Sequence, residues 1–266
     1  MKRDSDMLLQ DDDIARTART PEITGLDVSV LSHEDLAKLA LQRSVVIADH
    51  DRNGAAIRAW TNGDTGPLLR IVDAMGSEIA YRALAVIKSE FDALTPVLDP
   101  VLTATGTRRR LADIGCGYAF FDLFAARRYG CGLALIDLED NQRRHFGFEE
   151  VGAAYSSLKV ARAFLKANGV PAKDIRTLNP KEKDPLRLPT MHAAVSLLAC
   201  GFHFPVTAYV PFIEQRMKPG ARVIMDLRAR RADSQQQELQ ALGTIIATPP
   251  GSKKSRRVVL ERERAH

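Results

Sequence analysis

The stretch Leu111-Ala112-Asp113-Ile114-Gly115-Cys116-Gly117-Tyr118-Ala119 decides how the rest of the chain is read. An apolar run contains an acid near its end, and two glycines then bracket one residue. Phe120-Phe121-Asp122-Leu123-Phe124-Ala125-Ala126 follows and reads as the first turns of a helix. A strand that turns into a helix through glycines can hold a ligand against its backbone. Glycine accepts the positive φ of a tight turn, its missing Cβ lets a ligand approach, and the helix N-terminus presents N–H groups. Gly-x-Gly turns occur in many folds, so the residues on either side must discriminate.

Downstream, strands and helices alternate. Strand one, residues 111–114, leads to a helix over 120–129 that Gly130 stops. A second strand at 131–136 ends at Asp137, and a polar stretch runs to Glu150. A helix follows over 151–168, ended by Gly169, then a short strand at 174–178 and a fourth at 193–199. Next come a helix over 207–217, the turn Lys218-Pro219-Gly220, a strand at 221–226 and a polar helix over 234–242. Residues 243–248 and 257–261 flank Pro249-Pro250-Gly251-Ser252, a hairpin signal. This alternation predicts an α/β fold with a mostly parallel sheet covered on both faces, closed by one antiparallel strand.

Upstream, residues 1–31 are polar and acidic, with Asp11-Asp12-Asp13, and read as a flexible arm. Ser32, with Asp35 three residues on, reads as an N-cap. Helices are expected after it, over 67–76 and over 77–94, with Thr95-Pro96 to Pro100 closing the segment. The organisation expected is an arm at 1–31, a helical cap or lid at 32–100 and a main domain at 101–266.

The chain has 266 residues, 45% hydrophobic, with net charge +5. A run of about 18 apolar residues, as a membrane span needs, is missing, and so is the apolar core of a secretory signal. Cys116, Cys131 and Cys200 are odd in number and widely spaced, which fits reduced thiols in a cytoplasmic protein. Basic residues cluster at Arg108-Arg109-Arg110, at Arg228 with Arg230-Arg231, and at Lys253-Lys254 with Arg256-Arg257. They read first as solvated edges and permit anionic partners without requiring them.

Asp137 stands twenty-two residues after Gly115, at the end of the neighbouring strand, where an acid can accept hydrogen bonds from ribose hydroxyls. Taken with Asp113-Ile114-Gly115-Cys116-Gly117, Leu135-Ile136-Asp137 and Met217-Lys218-Pro219-Gly220-Ala221-Arg222-Val223-Ile224, the chain resembles a class I S-adenosylmethionine-dependent methyltransferase over residues 101–261. A dinucleotide-binding dehydrogenase would want Gly or Ala at position 120, which is Phe. The methyltransferase pattern wants a small residue at 119, where Ala stands in place of the commoner Gly.

The resemblance implies a three-layer Rossmann-like sandwich with a seven-stranded sheet, and S-adenosylmethionine as cofactor with S-adenosylhomocysteine as product. Asp113, Gly115, Cys116 and Gly117 would hold the methionine end. Asp137 would take the ribose and Leu138 the adenine edge, with Glu139 able to replace Asp137 if the strand ended later. Asn179 would lie near the adenine amine, though Asn179-Pro180 also reads as a plain turn. Ala199, at the end of the fourth strand, would face the methyl group.

The residues there are Ser196-Leu197-Leu198-Ala199-Cys200-Gly201-Phe202-His203-Phe204-Pro205. They lack the Asn/Asp-Pro-Pro-Tyr/Phe of many nitrogen methyltransferases. His203 is a candidate base, since a neutral imidazole accepts a hydroxyl proton. Phe202 and Phe204 are candidates to exclude water and face a sulfonium. Cys200 has no activating neighbour in the sequence. Trp60, Tyr81 and Arg82 are candidate cap contacts, or simply cap packing. The function expected is in-line methyl transfer to a small-molecule hydroxyl, possible without a metal. An RNA methyltransferase and a non-catalytic binding protein of the same fold are the alternatives.

Overall fold

The computed structural model describes residue 9 and residues 11–138 and 156–263. The helical N-terminal part comprises α1 (Asp11–Ala18), α2 (Pro21–Thr24), α3 (His33–Gln42), α4 (Ala55–Thr61), α5 (Gly66–Met75) and α6 (Glu78–Leu102). The alternating part comprises β1 (Arg110–Ile114), α7 (Phe120–Tyr129), β2 (Gly132–Ile136), α8 (Leu158–Ala167), β3 (Ile175–Leu178) and β4 (Met191–Ser196). It continues with β5 (Ala199–Phe204), α9 (Val210–Arg216), β6 (Met217–Arg228), α10 (Ala232–Gln240), β7 (Gly243–Ala247) and β8 (Ser255–Arg262). Among the described residues no helix is long and apolar enough to cross a membrane.

Seven strands form one sheet in the order β3-β2-β1-β4-β6-β8-β7. β3, β2, β1, β4 and β6 run parallel, and β8 is antiparallel to both β6 and β7. Side chains alternate between faces along a strand. Leu111, Leu133, Leu135 and Val195 therefore join the apolar layer of α3, α6, α7 and α8. Ala112, Ile114, Ala134, Ile136 and Ala194 join the layer of α9 and α10 on the other face. The expected three-layer α/β architecture, its seven strands and its antiparallel C-terminal strand are all present.

Ser32 caps α3 as its sequence indicates. Its hydroxyl accepts from Asp35 N–H (3.2 Å), and its own N–H donates to the Asp35 carboxylate (2.9 Å). Other expectations need correction. The described part of the arm, 11–31, is helical over α1 and α2, and Ile14, Ala18, Ile23 and Leu26 are buried. A few apolar side chains against α6 order a segment whose composition alone reads as disordered.

The third cap helix does not close at Thr95-Pro96. α6 passes through Pro96 and Pro100 to Leu102. Pro96 removes the N–H that would meet the Asp92 carbonyl, and the Thr95 hydroxyl donates to that carbonyl instead (2.8 Å). Leu94, Leu98 and Leu102 are buried at 2% exposure or less, so tertiary burial holds the helix past its prolines. α3, α5 and α6 share one apolar cluster with β1, β2 and α7, so these helices form a layer of the fold.

The fourth strand ends at Ser196 rather than 199. The Ser196 hydroxyl donates to the Ile114 carbonyl and accepts from Cys200 N–H, both at 2.8 Å. Leu198 turns the chain at φ 56, and β5 then carries Ala199–Phe204, for which no strand is expected beyond residue 199. α8 starts at Leu158, capped by Ser157. The expected helical residues 151–155, and Glu139, lie outside the described residues.

Candidate cofactor and acceptor site

The glycine turn leaves β1 with Gly115 at φ 82, Gly117 at φ 56 and Ala119 at φ 60, and α7 begins at the next residue. Gly115 N–H donates to the Ile136 carbonyl (2.7 Å), which ties the turn to the end of β2. A Cβ on Gly115 would lie 2.3 Å from the Ala199 Cβ, and one on Gly117 3.3 Å from Gln42 Oε1. The missing side chains are thus what lets β5 and α3 approach the turn. Tyr118 OH donates to Asp35 Oδ1 (2.7 Å), so the same acid that caps α3 anchors the turn.

Asp137 follows β2 directly, and its carboxylate accepts from Gly117 N–H (2.9 Å). Cys116 is buried, and burial beside Asp137 and Asp113 raises its thiol well above the usual range, so it fills the turn as a thiol. Cys200 is likewise buried and raised by burial.

Asp113, 5% exposed, lies beside Asp122 of the first turn of α7. Burial first, then the Asp122 charge, raises the Asp113 carboxyl far above its ordinary value. Asp137 adds to the rise and Arg43 opposes it. Arg43 is itself held by both oxygens of Glu90 (2.9 and 3.1 Å). Burial raises Asp122 to about 7, opposed by hydrogen bonding to Asp113 and to backbone.

A raised carboxyl stabilises the fold fully below its unfolded pKa near 4, and that contribution is lost as pH climbs through the folded value. The window here runs from about pH 4 to about pH 7. Asp122→Asn cannot ionise. It is expected to gain on wild type across that window, by about 2–4 kcal/mol at alkaline pH. Thermal melts in mildly acidic and mildly alkaline buffer check this, and parallel melting curves would refute it.

A cavity of about 980 Å3 opens on the C-terminal edge of the sheet. Asp113, Gly115, Cys116, Gly117, Asp137 and Leu138 line one part of it, and Ala199, Phe202, His203, Phe204 and Tyr209 another. α3 and α4 contribute Gln42, Ile57 and Arg58. The His203 ring meets Phe202 edge-on with centroids 5.0 Å apart.

Other sequence candidates stand apart from this lining. Asn179 turns its side chain to Lys181 N–H (3.0 Å), which is the plain-turn use. Arg82 is buried among Glu78, Asp49 (2.7 Å) and the Val46 carbonyl (3.2 Å), so it braces α6. Tyr81 and Trp60 pack against the apolar cluster.

Several members of the basic clusters have partners within the chain, most of them at the surface. Arg108 pairs with Asp174, Arg109 donates to the Ala104 carbonyl, Arg256 pairs with Asp233, and Arg257 pairs with Asp226. Arg228 is the exception that sequence reasoning missed. It lines the cavity with its guanidinium over the Phe202 ring (4.9 Å). Its place at the end of a parallel strand was the available signal.

No protein-family model matches the chain, and no curated protein matches it. Solved structures do. A geranyl diphosphate methyltransferase in complex with GPP and sinefungin is 15% identical, over 56% of this chain and 47% of that one, with a TM-score of 0.38. This chain thus spans about half the length of that protein. A ribosomal protein L11 methylase from Lactobacillus delbrueckii subsp. bulgaricus is 14% identical, over 65% of this chain and 79% of that one, TM-score 0.46. An RNA methyltransferase from Salinibacter ruber in complex with S-adenosyl-L-homocysteine is 16% identical, over 67% and 94%, TM-score 0.42. Their names point to unlike acceptors. The strand order, the antiparallel β8 and the glycine turn after β1 give the chain the Rossmann-like fold of class I S-adenosylmethionine-dependent methyltransferases.

Proposed function

We propose that the chain binds S-adenosylmethionine and catalyses transfer of its methyl group to a hydroxyl of a small molecule. The observation that carries this reading is that the glycine turn, Asp137 and His203 line one cavity. The residues fit the cofactor. Gly115 and Gly117 offer backbone where a Cβ would intrude, Asp113 offers a hydrogen-bonding carboxyl, and Asp137 offers carboxylate oxygen to a ribose diol. Leu138 supplies an apolar edge for a purine. When bound, S-adenosylmethionine supplies an electrophilic methyl group on a good leaving group.

The protein's own work is then positioning and drying. Phe202 and Phe204 exclude water beside Ala199, and His203 accepts the acceptor's hydroxyl proton as the oxygen attacks. A concave cavity of about 980 Å3, within the range of small-molecule sites, favours a metabolite over RNA.

The test supplies methyl-labelled cofactor and a metabolite extract to wild type and to His203→Ala, with cofactor affinity measured by calorimetry. Transfer is expected to fall by about 10²–10⁴-fold in the variant, with affinity retained. Unchanged transfer removes His203 from the chemistry. Failure of wild type to bind the cofactor leaves a non-catalytic protein of this fold.

A further inference from the structure

The C-terminal edge of the sheet is electrically polarised. In the order β2-β1-β4-β6 it begins with Asp137 after β2 and ends with Arg228 closing β6. Neighbouring strands lie about 4.8 Å apart, and the register sets the ends of β1 and β2 level with Met225, three residues short of Arg228, so Arg228 sits roughly 14 Å from the β1 end and roughly 18 Å from the β2 end. Arg228 opposes Ser255 in the β6–β8 register, which brings Lys254 to the same rim. Arg58 of α4 lines the cavity as well.

Among the described residues the two guanidiniums make only neutral contacts. Arg228 donates through Nη1 to the Phe202 carbonyl (3.2 Å) and lies over the Phe202 ring, and Arg58 donates to the Asn53 carbonyl (2.6 Å). Among the described residues no carboxylate pairs with either, although Arg43, Arg82, Arg128 and Arg257 all have acidic partners. Burial lowers the pKa of Arg228, and the nearby charges of Arg230 and Arg231 lower it further. A half-buried cation concentrated with like charges, held against an aromatic face and left with donors to spare, is arranged for an anion from outside the protein.

We infer that the acceptor is a small organic anion, its carboxylate or phosphate held by Arg228 with Arg58 while its nucleophile faces His203. The word acceptor rests on the methyl-transfer reading, and the anion site does not. The acidic half of the cavity suits a cationic cofactor and the basic half its anionic partner, so each repels the other's ligand.

The test titrates inorganic pyrophosphate and citrate, at fixed ionic strength, into the full-length protein with and without S-adenosylhomocysteine. Wild type is expected to bind at least one saturably, and which of the two identifies phosphate or carboxylate. Arg228→Met is expected to weaken binding by about tenfold or more, and Arg228→Lys by only about threefold. Lys173→Met, an exposed change outside the cavity lining, should leave it unaltered. S-adenosylhomocysteine affinity should stay within about twofold in all of them, since Arg228 stands two strands from the glycine turn. Absence of saturable binding by either probe, or equal binding by wild type and Arg228→Met, overturns the anion site. So does a short RNA that binds tightly and is displaced by neither probe. Loss of S-adenosylhomocysteine binding in wild type would instead sink the methyl-transfer reading and leave the anion result standing.

Discussion

Gly115→Ala is expected to lower affinity for S-adenosylhomocysteine by about a hundredfold and to destabilise the fold by roughly 2–5 kcal/mol. Two effects add. A residue with a Cβ pays about 1–2 kcal/mol in the left-handed region that Gly115 occupies at φ 82. The new Cβ would also fall 2.3 Å from the Ala199 Cβ, and such overpacking costs about 1–3 kcal/mol as β5 and the turn move apart. That movement shifts the cradle by a distance on the scale of a bond, and a displacement of about 1 Å can cost 10²-fold in a positioned site. The double variant Gly115→Ala/Ala199→Gly separates the effects. It removes the clash and keeps the backbone cost, so the two changes together should cost less than their sum by about 1–3 kcal/mol. Urea unfolding and calorimetry on the four proteins measure this. Strict additivity would mean that Ala199 is not what Gly115 makes room for.

The features legible in the sequence are those set by near neighbours. Asp113, the two glycines and Asp137 declare a strand-turn-helix and its companion acid within a short window, and Ser32 with Asp35 declares a cap. The seven strands follow from local periodicity and from turns at Gly130 and Gly169, whereas Lys218-Pro219-Gly220, expected as a turn before the strand, lies within β6. What was not legible depends on distant partners. Pro96 should end a helix, yet α6 continues because Thr95 covers the orphaned carbonyl and Leu98 and Leu102 are buried by the sheet. β5 exists because Ser196 bonds to the Ile114 carbonyl, eighty-two positions away in the chain. Arg82 looked like a cap contact and is a brace, because Asp49 and Glu78 reach it from two elements. Arg228 looked like one more surface cation, and the absence of a partner acid among the described residues sets it apart from Arg257 on the neighbouring strand β8.

Arg257 supplies the second large effect. It reaches Asp226 with both arms (2.7 and 2.9 Å) and also donates to the Pro250 carbonyl (3.2 Å). The two side chains are 1% and 0% exposed and face each other across the β6–β8 register. Asp226→Ala would leave the guanidinium buried without its counter-charge, at a cost of about 3–5 kcal/mol. Total stability of a domain is about 5–15 kcal/mol, so the variant is expected to melt roughly 10 °C lower and to express poorly. The double exchange Asp226→Leu/Arg257→Met removes both charges and keeps most of the volume, and it should come back to within about 1–2 kcal/mol of wild type or exceed it. Recovery in the double variant identifies the loss as an uncompensated charge, and failure to recover would make it a packing effect. The pair also has a bearing on the site. Asp226 lies two residues before Arg228, its carbonyl would be 3.1 Å from a Cβ on Gly201, and Arg257 holds the strand that brings Lys254 to the cavity rim. Asp226→Ala protein that still folds at low temperature is therefore expected to bind pyrophosphate or citrate more weakly, with the charge-free double variant restored. An anion affinity untouched by Asp226→Ala would show that the β6–β8 edge holds Arg228 in place without this ion pair.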